Sequence, residues 1–405
     1  MEATNFSVQS FRKTGGAPTT NKSFMDWFRF ASPSPAGYTL FDPQLIFDAN
    51  AKRFVFMVTG SIRAGTPTVD TKLFLSESTN SDGIGPWIFL TIDENINNDH
   101  TVFHQDGDHS KIGTSAGYLY LTSNMFRQDG PKGGTSAMWI VNNTQLSSGN
   151  TKPRVARTSP LLNQDGTQAA TVYPANQLDG TSVGYAVDTG SMTSGTTNYV
   201  TLFRITCQNC GSLKVSRTTV GVGRFGNPTG NVPQPGTGIT LNASDARMRS
   251  VVSYKNHLYA AAQTSRPDGS TPAAARVFDI DLTGNSEFGF YVLGTGVSTF
   301  YPAVAVTSNE ALFVATEVSG AQVYPRVDVL QDEVNNHGTG LTLKAGERSD
   351  TDDDPGSTRW GDYIALSPDT YSGTSAWVAG EYGASLTDSD GKSKDYATWI
   401  GNVGS

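Results

Sequence analysis

The chain has 405 residues, of which 43 are glycine, 37% are hydrophobic and only 16% are charged. That composition, crowded with Thr, Ser, Asn, Val and aromatics, suits many short strands joined by turns and is unlike a helical enzyme. A net charge of −8 without any Lys/Arg cluster argues against a nucleic-acid partner, since nothing would neutralise a row of phosphates.

The opening MEATNFSVQS shows neither a basic n-region nor an apolar h-region. Sequons at Asn5, Asn21, Asn142 and Asn242 and the low Lys content fit an exported β-protein, so the expectation is a secreted chain whose signal lies outside this sequence. No apolar run reaches the roughly 18 residues of a membrane span. Two N-terminal segments, Phe6–Lys13 and Lys22–Phe30, read as hairpin strands split by the turn TGGAPTTN.

From there a pattern recurs: a short opening motif, a strand, a turn, then a strand rich in aromatics and Val. It starts at Asp42 (DPQLIFDANAKRFVFMVTG), Asp108 (DHSKIGTSAGYLYLTSNMF), Tyr173 (YPANQLDGTSVGYAVDTG), Ala246 (ARMRSVVSYKNHLYAAAQT), Tyr301 (YPAVAVTSNEALFVATEV) and Gly361 (GDYIALSPDTYSGTSAWVAGEYG). The starts lie 55 to 73 residues apart, and the gaps hold further strand-like stretches such as TKLFLSEST and WIFLTID. Four strands per repeat is the signature of a β-propeller. A sandwich needs far fewer strands, and no helical stretch between strands supports a parallel α/β fold. The expected architecture is one all-β domain over residues 1–405. It is a seven-bladed propeller with an incomplete first blade, or a six-bladed one, its ring closed by the N-terminal strands.

The segments FDPQLIFDANAKRFVFMV, DHSKIGTSAGYLYLTSNMF, YPAVAVTSNEALFVATE and RWGDYIALSPDTYSGTSAWVAGEY resemble a broad family of secreted, mostly bacterial β-propellers of the sialidase-like superfamily, over about residues 5 to 403. The RWGDY and DP motifs are the more specific ones. That family carries a further D-P-x-x-A-V-G repeat ahead of the segment matching MEATNFSVQSF, which is absent here, and usually Tyr-Pro where this chain has DHSKIG. The resemblance implies a fold and no shared catalytic chemistry. Sialidase chemistry itself needs three arginines around a carboxylate, for which Arg247, Arg326 and Arg359 are available. Clear Asp-box hairpins are missing, and SDGIGPW (Ser81–Trp87) only approximates one.

In a propeller the residues that open the repeats converge at one mouth of the central channel. Here they would be Asp42, Asp108, His109, Tyr173, Arg247, Tyr301, Arg359, Trp360 and Asp362, able either to bind a polar ligand or to pair with one another. Three of the five histidines, His100, His104 and His109, fall within ten residues. With Asp106 and Asp108 they could ligate a transition metal. Alternatively one of them could act as a base with Tyr173 or Tyr301 as acid, as a polysaccharide lyase requires, with Arg247 or Arg359 neutralising the uronate. The acidic loops around Asp352, Asp353, Asp354 and around Asp388 and Asp390 suit a structural Ca²⁺. Cys207 and Cys210, in C-Q-N-C at a hairpin tip, are expected to form a disulfide.

Two functions follow as expectations. One is a secreted carbohydrate-active propeller, lyase or glycosidase, acting on an acidic polysaccharide at the channel mouth. The other is a non-catalytic glycan-binding or adhesive propeller using exposed Trp27, Trp87, Trp360 and Trp377. The blades differ in sequence and the histidines gather in one of them, which favours a single site.

Overall fold

The computed structural model describes residues 1–404 apart from Asn5 and residues 64–68, 96–104, 128–133, 190–194, 333–339, 352–356, 362–363 and 388–392. The chain is all-β with a propeller arrangement, and the described residues include only two helices, each of five residues. It divides into two compact units, residues 1–188 with 201–218 and residues 189–200 with 219–405.

The first unit holds two complete antiparallel blades. One consists of Thr39–Asp48, Arg53–Arg63, Val69–Ser78 and Trp87–Asp93. The other consists of Gln105–Ser115, Tyr118–Arg127, Gly134–Asn142 and Val155–Thr158. A third blade, Tyr173–Pro174, Gly184–Asp188, Thr196–Gln208 and Ser212–Gly226, gives this unit its inner strands and the tip of its outer hairpin. Local chemistry sets the turns: the Asp48 carboxylate accepts the N–H groups of Asn50 and Ala51 at 2.9 and 3.1 Å, closing the FDANAKRF hairpin. Val55, Leu73, Leu75, Ile92, Leu121 and Trp139 form the main core, apolar in phase along successive strands.

The second unit holds the blade of Met248–Tyr254, His257–Thr264 and Ala274–Asp281, whose outer position is shared by Ser286–Glu287 and Phe290–Val292. A further blade follows: Ser298–Val306, Leu312–Gly320, Val323–Asp332 and Leu341–Lys344. Its first two strands are buried at every residue, as strands covered on both faces must be, hence the near-continuous STFYPAVAV and LFVATEVSG. Lys255 and Asn256, at φ 47° and 54°, make the two-residue turn between Tyr254 and His257 whose twist matches the flanking strands.

Among the described residues there are thus five complete blades, neither seven nor six. The last repeat stops at three strands, Ala365–Pro368, Ser375–Thr387 and Ser393–Gly404. The N-terminal strands expected to complete a blade form a separate sheet of Glu2–Ala3, Ser7–Ser10 and Thr20–Ser23. The segment expected as a strand over Lys22–Phe30 is mostly helix, Phe24–Phe28. Two local signals produce it. Ser23 Oγ accepts the Asp26 N–H at 3.1 Å and donates to the Asp26 carboxylate at 2.8 Å, a reciprocal cap. The spacing of Phe24, Trp27 and Phe28 then puts three rings on one helical face, packed against Phe56 and Phe74.

Candidate functional site

Within the first unit, two inner strands are broken at the same point of their repeat. The register of Thr39–Asp48 slips between Phe41 and Gln44, and that of Gln105–Ser115 between Asp108 and Lys111. Each break holds a non-glycine residue in the left-handed region, Asp42 at φ 51° and His109 at φ 55°. Such bulges re-aim side chains and gather at functional sites. The two are tied together, since Asp42 Oδ2 accepts the His109 backbone N–H at 2.9 Å. Beneath them the hydroxyls of Thr59, Ser110 and Ser123 run in a buried chain, with O···O distances of 2.7 and 3.1 Å. The aliphatic stem and ammonium of Lys111 are buried, with Nζ 5.7 Å from the centre of the Tyr173 ring.

A cleft of about 760 Å³ opens beside the bulges, lined among others by Phe41, Ser61, Asp106, Gly107, Asp108 and Phe126. Asp108 and Phe126 are exposed and Asp106 is half-buried. Behind the wall lies Glu94, fully buried at the end of Trp87–Asp93, its N–H donating to Thr71 O at 3.1 Å. A Cβ on Gly107 would collide with both Glu94 carboxylate oxygens, so the carboxyl rests against the bare α-carbon of a cleft residue. Among the described residues neither oxygen meets a donor in good hydrogen-bonding geometry. Burial pushes the Glu94 carboxyl up to about 7; the Asp106 charge adds to the rise, while the Ser123 and Thr71 hydroxyls and the Arg157 guanidinium oppose it. A carboxyl that burial makes a weaker acid thus stands one glycine away from Asp106 and Asp108.

The sequence-predicted residues divide between the units. Asp42, Asp108, His109 and Tyr173 belong to the first, where His109 is buried and Tyr173 half-buried. Arg247, Tyr301, Arg359 and Trp360 belong to the second. There Arg247 is gripped by Asp245, Nε to Oδ1 at 2.6 Å and Nη2 to Oδ2 at 2.5 Å, and Arg326 pairs with Asp328 at 2.8 Å, so two of the three arginines considered for a sialidase are neutralised locally. Arg359 is exposed. Tyr301 sits in a bulge at φ 43°, but its ring turns into a core with Val232, Leu241, Phe300 and Trp360. Its hydroxyl donates to Asn242 O at 3.1 Å, and Arg249 lies over its face at 4.9 Å. Tyr301 and Trp360 are each 1% exposed, too buried to meet a ligand. His100, His104, Asp352, Asp353, Asp354, Asp362, Asp388 and Asp390 lie outside the described residues.

Other expectations are corrected. Of the tryptophans taken as exposed, Trp27 is buried with its indole N–H on Ser76 Oγ at 2.9 Å, Trp87 is half-buried, and Trp377 is half-buried with its N–H on Asp369 Oδ2 at 3.0 Å. The reason is geometric: Trp27 from the face of the short helix and Trp87 and Trp377 from strands fill spaces between packed elements. Cys207 and Cys210 are both free thiols. Of the sequons, Asn21 and Asn242 are exposed, whereas Asn142 is buried as a helix cap, its Oδ1 accepting the Gln145 N–H at 3.0 Å. Among the described residues there is no cluster of three or more His, Cys, Asp or Glu able to hold a metal ion, and no helix long and apolar enough to cross a membrane.

Sequence reasoning missed Glu94. The signal was present: in WIFLTIDE, Glu94 falls in phase with Leu90 and Ile92, both buried, so a carboxyl occupies an apolar position of the alternation.

No protein-family model and no curated protein sequence matches the chain. It is similar to several solved structures. A GH43 protein from Bacillus licheniformis is 12% identical with a TM-score of 0.35, over 78% of this chain and 59% of that one. Trypanosoma rangeli sialidase, in complex with sialic acid, is 9% identical with a TM-score of 0.42, over 98% and 57%. An endo-arabinase from Bacteroides thetaiotaomicron is 11% identical with a TM-score of 0.37, over 76% and 97%. The chain thus spans less than two thirds of the first two. Likeness at this level assigns no activity.

Proposed function

We propose that the protein is a carbohydrate-active hydrolase that cleaves a glycan in the cleft of its first unit. Asp106 and Asp108 are the carboxyls that meet the glycan at the cleft surface, and Glu94, fully buried behind Gly107, is a positioning residue that acts on the site through them. The observation that carries this reading is the Glu94 carboxyl, pushed up by burial, against the bare α-carbon of Gly107 between Asp106 and Asp108 in the cleft wall. Glycoside hydrolysis needs such a pair, one carboxyl to protonate the bond and one to meet the opposite face of the sugar. Phe41 and Phe126 offer apolar faces for the pyranose or furanose ring, and Asp108 offers acceptors for its hydroxyls.

The same lining bears on the substrate. The cleft residues named above offer carboxyl acceptors to the hydroxyls of a neutral glycan, which is the substrate of this reading in place of the acidic polysaccharide read from the sequence. Lyase chemistry drew on His100 and His104, outside the described residues, with His109 buried and Arg247 already engaged by Asp245. The adhesive reading drew on tryptophans that the fold covers. Export remains part of the proposal, supported by the composition and the exposed Asn21 and Asn242.

The test is digestion of a panel of neutral and uronate-containing polysaccharides, followed both by reducing ends and by the ultraviolet absorbance of unsaturated products. Reducing ends from a neutral glycan, lost in Asp106→Asn, support the reading. Unsaturated products, or binding without cleavage across the panel, would overturn it.

A further inference from the structure

We propose that Cys207 and Cys210 are a redox-active dithiol, which a small disulfide such as glutathione disulfide closes into an intramolecular bond across the hairpin turn. The hairpin of Thr196–Gln208 and Ser212–Gly226 turns through Asn209 and Cys210, both left-handed at φ 50° and 53°, with the Gly211 N–H donating to Gln208 O at 2.9 Å. This is a tight two-residue turn of the kind that strongly favours Asn-Gly. The sequence reads Asn-Cys-Gly, so a glycine is present but one place late, and a cysteine takes the strained position. A side chain held there needs a reason beyond the turn itself.

The surroundings supply one. Cys210 is half-buried and Cys207 buried. Cys207 belongs to the buried cluster of Tyr120, Ile140 and Phe203, Cys210 packs against the same cluster, and the Cys210 thiol lies 3.6 Å from Ile140 O. The turn is anchored from outside by the Tyr118 hydroxyl, which accepts the Asn209 N–H at 3.1 Å. Both cysteine side chains are therefore turned into one cluster from a hairpin whose backbone is already fixed. Closure links residues three apart and leaves the strand pairing intact.

The exchange is balanced as follows. The Cys210 thiolate, from the more accessible sulfur, attacks glutathione disulfide, giving a mixed disulfide and one glutathione thiolate. The Cys207 thiolate then attacks the Cys210 sulfur, forming the Cys207–Cys210 bond and expelling the second glutathione thiolate. Two electrons pass to glutathione, and the two thiol protons end on the two glutathione molecules. Because burial raises the Cys210 thiol, the reaction quickens as pH rises.

The experiment uses the full chain, reduced, freed of reductant and exposed to glutathione disulfide under native conditions, with intact and peptide mass analysis. The expected result is loss of two hydrogens, a peptide cross-linked between Cys207 and Cys210, and recovery of both thiols with dithiothreitol. The Cys207→Ser variant should instead retain glutathione on Cys210. A glutathione adduct that persists on the unsubstituted chain would overturn the proposal. So would native thiols that stay unreactive while those of the urea-unfolded chain react.

Discussion

Two buried glutamates, one in each unit, show what separates a group that can do chemistry from one that holds the fold together. Glu94 and Glu317 are 0% and 1% exposed, and burial raises both carboxyls. Glu317 lies on a strand buried throughout, where its Oε1 accepts the Glu381 backbone N–H at 3.0 Å with the Trp360 indole alongside. It catches a backbone N–H of another segment, as Asn124 does with Thr171 in the first unit. Glu94 has no such clasp and backs onto a cleft. Each unit even repeats the glycine device, for a Cβ on Gly361 would strike Glu381 as one on Gly107 would strike Glu94. A raised pKa and a vacated Cβ are therefore shared by structural and chemical sites. The neighbouring cleft is what differs.

The sharpest break between the two is activity. Replacing Glu94 with Gln removes the buried carboxyl that backs the cleft and should lower turnover, whereas Glu317→Gln should leave turnover of the folded protein unchanged in a steady-state hydrolysis assay. The glycine pair sharpens the same contrast. Gly107→Ala and Gly361→Ala each force a methyl group onto a carboxyl and should cost about 1–3 kcal/mol of stability in urea unfolding. Only Gly107→Ala should also reduce turnover, because Gly107 lines the cleft.

The pH dependence comes next. Glu94 keeps its proton in the folded chain up to about 7, against 4.5 as the ordinary carboxyl value. The stability this contributes is complete below 4.5 and is lost as pH rises to about 7, an effect of about 3 kcal/mol. Glu77, also pushed up to about 7 by burial, gives a parallel slope. Urea unfolding between pH 4 and 8 should show stability falling across that window, and Glu94→Gln should remove its share while leaving that of Glu77. The smallest effect expected is at the bulge. Asp42→Asn keeps an acceptor for the His109 N–H but not the charge, and should shift urea stability by about 1 kcal/mol.

Much of this was legible in the chain, for identifiable reasons. The openings at Asp42, Asp108 and Tyr301 were found because a bulge needs an unusual local sequence, and each lies at or beside a register break in the structure. Repeats were legible because alternation is local. The helix Phe24–Phe28 was hidden by its aromatics, which favour strands until the Ser23–Asp26 cap is weighed. Blade number escaped because it depends on which distant strand completes a sheet, and the N-terminal strands pair with one another. The site escaped for a similar reason: Glu94 meets Gly107 and Ser123 only through folding, whereas the clustered histidines are conspicuous in the sequence itself.

The most direct test of the central claim is to assay one neutral polysaccharide for reducing-end release by the unsubstituted protein, Glu94→Gln and Glu317→Gln, each confirmed as folded by its β-sheet spectrum. Cleavage by the unsubstituted protein and Glu317→Gln, with loss in Glu94→Gln alone, is the predicted result. Undiminished cleavage by Glu94→Gln would contradict the account and move the chemistry away from the cleft behind Gly107.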